Sequence, residues 1–209
     1  MLFSSSRANA RSLCYASAAV LFAAVMIVTQ SYAATTTVSA PMKCTRGPSG
    51  TTFDATVTMP ASLPPGAKFT VRIDSQPSGK ISHTGLNYIF GMTTDYLVPT
   101  NSTYVEGSVA IVPDTGTANV RAGARAWHDA DGIHFTLPAH VENGSSYTPP
   151  SIEFSAVVDG PVGKDVELKF QHYEVQANAI IVGDVTTSCD PDPKPYTIDT
   201  LKISAPAKP

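Results

Sequence analysis

Thr52-Phe-Asp-Ala-Thr-Val-Thr-Met59, broken by Pro60-Ala-Ser-Leu-Pro-Pro-Gly66 and resumed as Lys68-Phe-Thr-Val-Arg-Ile-Asp74, decides the fold. Phe53, Ala55, Val57 and Met59 alternate with Thr52, Asp54, Thr56 and Thr58, so the apolar side chains fall on one face of a strand. The Pro and Gly residues between the two runs supply turn geometry. Phe69, Val71 and Ile73 then repeat the alternation. The same period of two returns at Ile133, Phe135 and Leu137, at Ile152, Phe154, Ala156 and Val158, and at Val166, Leu168 and Phe170. Further strand signals lie at Val105 to Val112, in the small-residue stretch Asn119 to Trp127, and from about Ala177 to Ser188. Asp131-Gly132 reads as a hairpin turn. Ile81 to Thr103 has no clean period and reads as a buried irregular crossover. No long helical periodicity appears. Roughly eight or nine short strands separated by turns predict an all-β fold, an antiparallel β-sandwich that is immunoglobulin-like in general architecture.

The first 33 residues read differently. Arg7 and Arg11 precede a mainly apolar run from Leu13 to Val28, and Ser31-Tyr32-Ala33 puts small residues where signal peptidase cuts. Residues 1–33 are therefore expected to be a secretory signal peptide. The apolar run is shorter than the ~20 residues of a membrane span, and an uncleaved N-terminal anchor is the alternative. Cleavage leaves 176 of the 209 residues, enough for one domain with a sizeable core. Cys14 is lost with the leader. Cys44 and Cys189, 145 positions apart, remain to form one disulfide in an oxidising compartment. Their Cα atoms must then lie within ~7 Å, which ties the N- and C-terminal ends of the domain together. The expected layout is a signal peptide at 1–33, a sandwich domain at 34–189, and a Pro-rich tail at 190–209 in which Ile198, Leu201 and Ile203 add at most a short edge strand.

Composition narrows the partners. Past residue 33 there are 12 Lys and Arg against 17 Asp and Glu, a net charge of −5 with both signs scattered. Nucleic acid, which needs several converging cations, is a poor partner. No polybasic amphipathic helix offers a membrane contact, and no membrane span is expected after signal cleavage.

Motifs that carry chemistry are weak. Asp114-Thr115-Gly116 matches the aspartic-protease triplet, but that chemistry needs two carboxylates sharing a proton and there is no second triplet; a turn after a strand is the better reading. His128, His134 and His140 would suit an open zinc site only if they converged, and the Asp131-Gly132 turn separates the first two onto different strands. Asp129, Asp131 and Gly132 begin like a calcium loop, yet Ile133 and His140 stand where it needs oxygen ligands. No nucleophile elbow or phosphate loop is present. Catalytic residues, metal and cofactor are accordingly all expected to be none. Trp127 and the cluster Tyr88, Phe90, Met92 and Tyr96 are the candidate ligand-binding side chains, with ordinary core as the plainer reading of the cluster.

The Cys44/Cys189 frame, Val57-Thr-Met-Pro60, Pro113-Asp-Thr-Gly116, Trp127 with Gly132-Ile-His-Phe-Thr-Leu137, and Val158-Asp-Gly-Pro-Val-Gly163 together resemble a group of exported actinobacterial β-sandwich domains of undefined function, often loosely named dehydratase or cyclase. The resemblance implies fold and export, and no reaction. The function expected is a secreted or cell-envelope-associated, non-catalytic binding or structural module, engaging a surface or a glycan. A carrier holding a small apolar ligand between its sheets is one alternative, and a hydrolase or lyase using His128 and His134 is another.

Overall fold

The computed structural model describes residues 33–46 and 50–207. The segment read as a signal peptide, with Cys14, lies outside the described residues except for Ala33. The chain forms strands β1 (Ala33–Cys44), β2 (Thr52–Pro60), β3 (Ser62–Leu63), β4 (Lys68–Ser75), β5 (Leu86–Leu97), β6 (Ser102–Tyr104) and β7 (Ala110–Ile111), then the single-turn helix α1 (Ala118–Arg121). There follow β8 (Arg125–Asp129), β9 (Gly132–Leu137), β10 (Val141–Glu142), β11 (Ile152–Val158), β12 (Asp165–Ala179), β13 (Gly183–Pro191) and β14 (Tyr196–Ile203).

The all-β expectation holds, but the strand number does not: the described residues form 14 strands in place of eight or nine. Three of the additions, β3, β6 and β10, have only two or three residues each and carry no readable period, and the strand expected at Val105 to Val112 shrinks to the two-residue β7. Two others are long. β1 was hidden because its inward row is built largely of small residues, Ala34, Thr36, Val38 and Ala40. β5 replaces the irregular crossover expected at Ile81 to Thr103, its alternation interrupted by register shifts against β12. The strand expected at Ala177 to Ser188 is instead a hairpin, with β12 ending at Ala179 and β13 starting at Gly183. Of the strand expected at Asn119 to Trp127, the first part is α1 and only Arg125 onward is extended.

Two sheets form the sandwich. The first runs β6-β11-β4-β2-β1, with β7 also on β11; the second runs β1-β13-β12-β5-β9-β8, with β14 on β12 and β10 on β5. Neighbours are antiparallel except for β14 with β3. β1 belongs to both sheets. Ala33 to Pro41 pairs with β2, whereas Met42 to Cys44 pairs with β13. The change of sheet falls at Pro41, which has no N–H to give to a ladder.

Between the sheets lie the alternating residues that betrayed the strands. Ala55, Val57, Val71, Phe154 and Ala156 of the first sheet, and Ile133, Val166, Leu168 and Phe170 of the second, are all wholly shielded from solvent. Phe53 on β2 stacks on Phe170 of β12 with ring centroids 4.3 Å apart, which joins the two layers directly.

Cys44 and Cys189 are bonded, with their Cα atoms 4.0 Å apart, and they face each other in the β1–β13 ladder. The bridge therefore clasps two neighbouring strands of one sheet. Cys44 ends β1, and Cys189 does not close the domain as the 34–189 boundaries predicted. β14 follows it, paired with β12, with Ile198, Leu201 and Ile203 buried. The sheet thus runs on past residue 189, into the stretch read as a tail.

Candidate functional site

The site grows from the β8–β9 hairpin. Asp129 and Gly132 are the last paired residues, and the N–H of Asp131 donates to Oδ1 of Asp129 at 2.9 Å, tightening the turn. Gly132 has φ +139°, and a Cβ there would collide with the carbonyl oxygen of Tyr96. Only glycine lets β9 start this close to β5. The hairpin then places Trp127 opposite His134, and β5 places Asp95 on the other side of His134.

Since Ile133, Phe135, Thr94 and Tyr96 point into the core, period two sends Trp127, His134 and Asp95 to the outer face of the second sheet. His134 Nδ1 lies 2.8 Å from Asp95 Oδ1, and Nε2 lies 2.9 Å from Asp129 Oδ1. The indole of Trp127 stacks on the imidazole at 5.1 Å and 21°, and its Nε1–H donates to Asp129 Oδ2 at 3.2 Å. Trp127 is nonetheless 39% exposed. It is a fixed aromatic surface in water.

The same row continues across the sheet. His172 on β12 pairs with Asp95, and its Nδ1 lies 2.8 Å from Asp190 on β13. Asp190 pairs with Lys43 on β1 and accepts a hydrogen bond from Lys194 Nζ at 2.7 Å. Trp127, His134, Asp95, His172, Asp190 and Lys43 thus form one line over six adjacent strands, with acids and bases alternating. Electrostatics follows the geometry. Partial burial alone would lower the basicity of His134, but the two carboxylates outweigh it and hold its pKa above the ordinary imidazole value. Asp129 sits below the usual carboxylate range because the Asp131 N–H and then His134 stabilise its charge. Asp190 is lowered as well, by Lys194 first and His172 second.

The residues singled out from sequence are scattered by the fold. Trp127 is in the row. Met92 and Tyr96 point into the core, whereas Tyr88 meets Phe90 edge to face at 6.2 Å and lies tilted against the exposed His140 at 4.0 Å. The four do not form one cluster. His128 pairs with Ile133 while His134 pairs with Trp127, so the two histidines occupy opposite faces. His128 stacks on the buried Tyr104 at 3.8 Å and cannot share a substrate atom with His134. Nor do His128, His134 and His140 converge; among the described residues no group of three or more His, Cys, Asp or Glu is placed to hold a metal. Asp114 and Gly116, with φ +57° and +72°, lie in a turn beyond β7.

Asp95, His172, Asp190 and Lys43 were not anticipated. Asp95 alternates with the buried Thr94 and Tyr96, a signal lost once the stretch around it was read as irregular. Between the sheets, where the carrier alternative expected a ligand, lies a cleft of about 310 Å³ lined in part by Phe53, Met92, Phe135, Tyr147 and Tyr173; of the side chains expected to line such a site only Met92 does so.

No family model and no curated protein matches the chain. Among solved structures it is similar to a cohesin module of a family 33 glycoside hydrolase from Clostridium perfringens, with a TM-score of 0.40 and 11% identity over 82% of this chain and 100% of that one. It is similar also to a protein from Corynebacterium diphtheriae described as membrane anchored, with a TM-score of 0.40 and 14% identity, covering 84% of this chain and 38% of that one. A third similarity is to the RrgA Jo.In complex, with a TM-score of 0.37 and 6% identity over 70% of this chain and 78% of that chain.

Proposed function

We propose that this protein is an extracytoplasmic, non-catalytic binding module that engages a glycan-bearing surface through the outer face of its second sheet. The observation that carries the reading is the line from Trp127 to Lys43. His134 is held by Asp95 and Asp129, His172 by Asp190, and Lys43 by Asp192 beside the line, so little side-chain freedom is lost when a partner replaces water. An exposed indole held flat on the sheet offers a negative π-face to weakly positive C–H groups, and a sugar ring presents such groups on one side. The carboxylates of Asp95 and Asp129 accept hydrogen bonds from hydroxyls, while His172 and Lys43 donate. Export, which the leader sequence and the Cys44–Cys189 bridge support, would put this face where glycans are found.

The test is a microarray of plant, animal and microbial glycans probed with the purified protein and with Trp127→Ala and Asp95→Asn. Binding to a restricted set of glycans, weakened tenfold or more by Trp127→Ala, is expected. An array with no retained protein, or glycan binding unaltered in both variants, would overturn the proposal.

A further inference from the structure

The inter-sheet cleft has a chemistry of its own, separate from the outer face. Its wall is Phe53 of β2 and Phe135 of β9, and at its base Met92 of β5 meets two phenols. The hydroxyl of Tyr147 donates to Met92 Sδ at 2.7 Å, and that of Tyr173 donates to the same sulfur at 3.2 Å. Tyr147 lies on the loop between β10 and β11, where it is fastened to the loop after β4. Ser78 N–H donates to the Tyr147 carbonyl at 2.7 Å, and Tyr147 N–H donates to Ser78 Oγ at 2.9 Å. Burial is the chief cause that raises the pKa of both phenols, and the two hydroxyls also hydrogen-bond each other, so both stay protonated and are shared between that contact and Met92 Sδ.

Two good donors aimed at one thioether is an unequal arrangement. A thioether sulfur is a weak acceptor, and a methionine side chain is unbranched and adaptable. Oxygen on a bound molecule would be the stronger acceptor for both hydroxyls, and Met92 has the torsional freedom to yield. Among the described residues the lining contains no Lys, Arg or His, and its one charged residue is Asp54. An anion would therefore meet a carboxylate and no counter-charge. At about 310 Å³ the cleft falls at the small end of ligand sites.

We infer that the cleft is a binding site for a small, uncharged, mainly apolar molecule bearing one compact oxygen acceptor, such as a ketone, which Tyr147 and Tyr173 clamp in place of Met92. The role is that of a carrier or sensor of such molecules, added to the surface contact proposed above and independent of it.

The probe is 6-propionyl-2-(dimethylamino)naphthalene, a neutral aromatic ketone whose emission reports both polarity and hydrogen bonding at its carbonyl. Titrated against the full purified chain, it should show saturable binding with a blue shift relative to water. Tyr147→Phe and Tyr173→Phe, which remove one donor each, should each weaken binding about tenfold. Met92→Leu keeps an apolar side chain but removes the competing acceptor, and it should tighten binding severalfold. Absence of saturable binding, an affinity unchanged from the unaltered protein in both tyrosine variants, or weaker binding in Met92→Leu would each overturn the inference. So would loss of binding in Ile181→Ser, because that would place the probe on the exposed hairpin tip. The Met92→Leu result decides the matter even if a tyrosine variant folds poorly, because a gain in affinity is not a consequence of damage.

Discussion

β12 lives in two environments along one strand. From Asp165 to Phe170 it alternates strictly, and Val166, Leu168 and Phe170 are 0% exposed beneath the first sheet. From Gln171 to Gln176 every residue is half-buried, and the hairpin it leads into ends in Ile180, Ile181 and Val182, at 64%, 91% and 67% exposure. The change comes where the covering sheet ends. Phe53, the second residue of β2, stacks on Phe170 but reaches Tyr173 only at 6.2 Å. One half of the strand is thus committed to holding the sandwich shut. The other half has freedom to present side chains, and the cleft opens at the junction of the two. The outer face is separate again: the row through His172 lies on the side that neither half buries.

The sharpest way to break this contrast is to injure each half in turn. Phe170→Ala removes a fully buried ring with Phe53 stacked on it and Tyr96 at 6.0 Å, and should cost about 3–5 kcal/mol in urea denaturation. Ile181→Ser, at the far end of the same hairpin, should stay within about 0.5 kcal/mol of the unaltered protein. Comparable losses in the two variants would mean that the uncovered half carries stability as well, and the division would fail.

Next in size is the clasp. The Cys44–Cys189 bridge ties β1 to β13 at the level of Tyr173, its partner on β12, close to where the covered half gives way to the open one. Replacing both cysteines by serine should lower stability by about 2–4 kcal/mol, chiefly by freeing the unfolded chain. Unchanged melting of the double variant would show that the ladder alone holds that junction.

The same boundary explains how much could be read from sequence. β2, β4, β9, β11 and the first half of β12 each have one face on the core, and there selection for burial writes a period of two into the chain. β5 pairs with β12 from Lys169 to Ala179, yet the pairing shifts register beside His172, Ala177 and Ala179, and each shift breaks the alternation. Cys44 and Cys189 were legible as a pair because Cys14 falls in the stretch that reads as a leader and these are the other two cysteines. Their place in adjacent strands was not, since that depends on β14 lying beyond them. Trp127 stood out by residue type. Asp95, Asp190 and Lys43 did not, because their meaning lies in cross-strand register over long separations: Asp95 and His134 are 39 residues apart. Tyr147 sits in a loop of Gly, Ser and Pro where no period exists to point at it.

The smallest effect sharpens the remaining side of the comparison, the outer face. His134 is held between Asp95 and Asp129, and its pKa is higher in the folded chain than the ordinary value of about 6.5. The protonated ring therefore favours the fold, with its full contribution present below about pH 6.5 and lost as pH rises through the folded value. Asp129 has the opposite sign: its carboxylate favours the fold above the ordinary carboxylate pKa, and that contribution disappears as pH falls through its lowered value. His134→Gln should remove the near-neutral part of this dependence while keeping a hydrogen-bonding side chain beside Asp95. Because the pair faces water, the difference should stay below about 1 kcal/mol and shrink further in high salt. Melting curves of both proteins across the weakly acidic to weakly alkaline range would show the curves converging as pH rises. Parallel curves would mean that the row is held by packing of Trp127 on His134 and not by charge, and the outer face would then owe its rigidity to the same contacts that order the core.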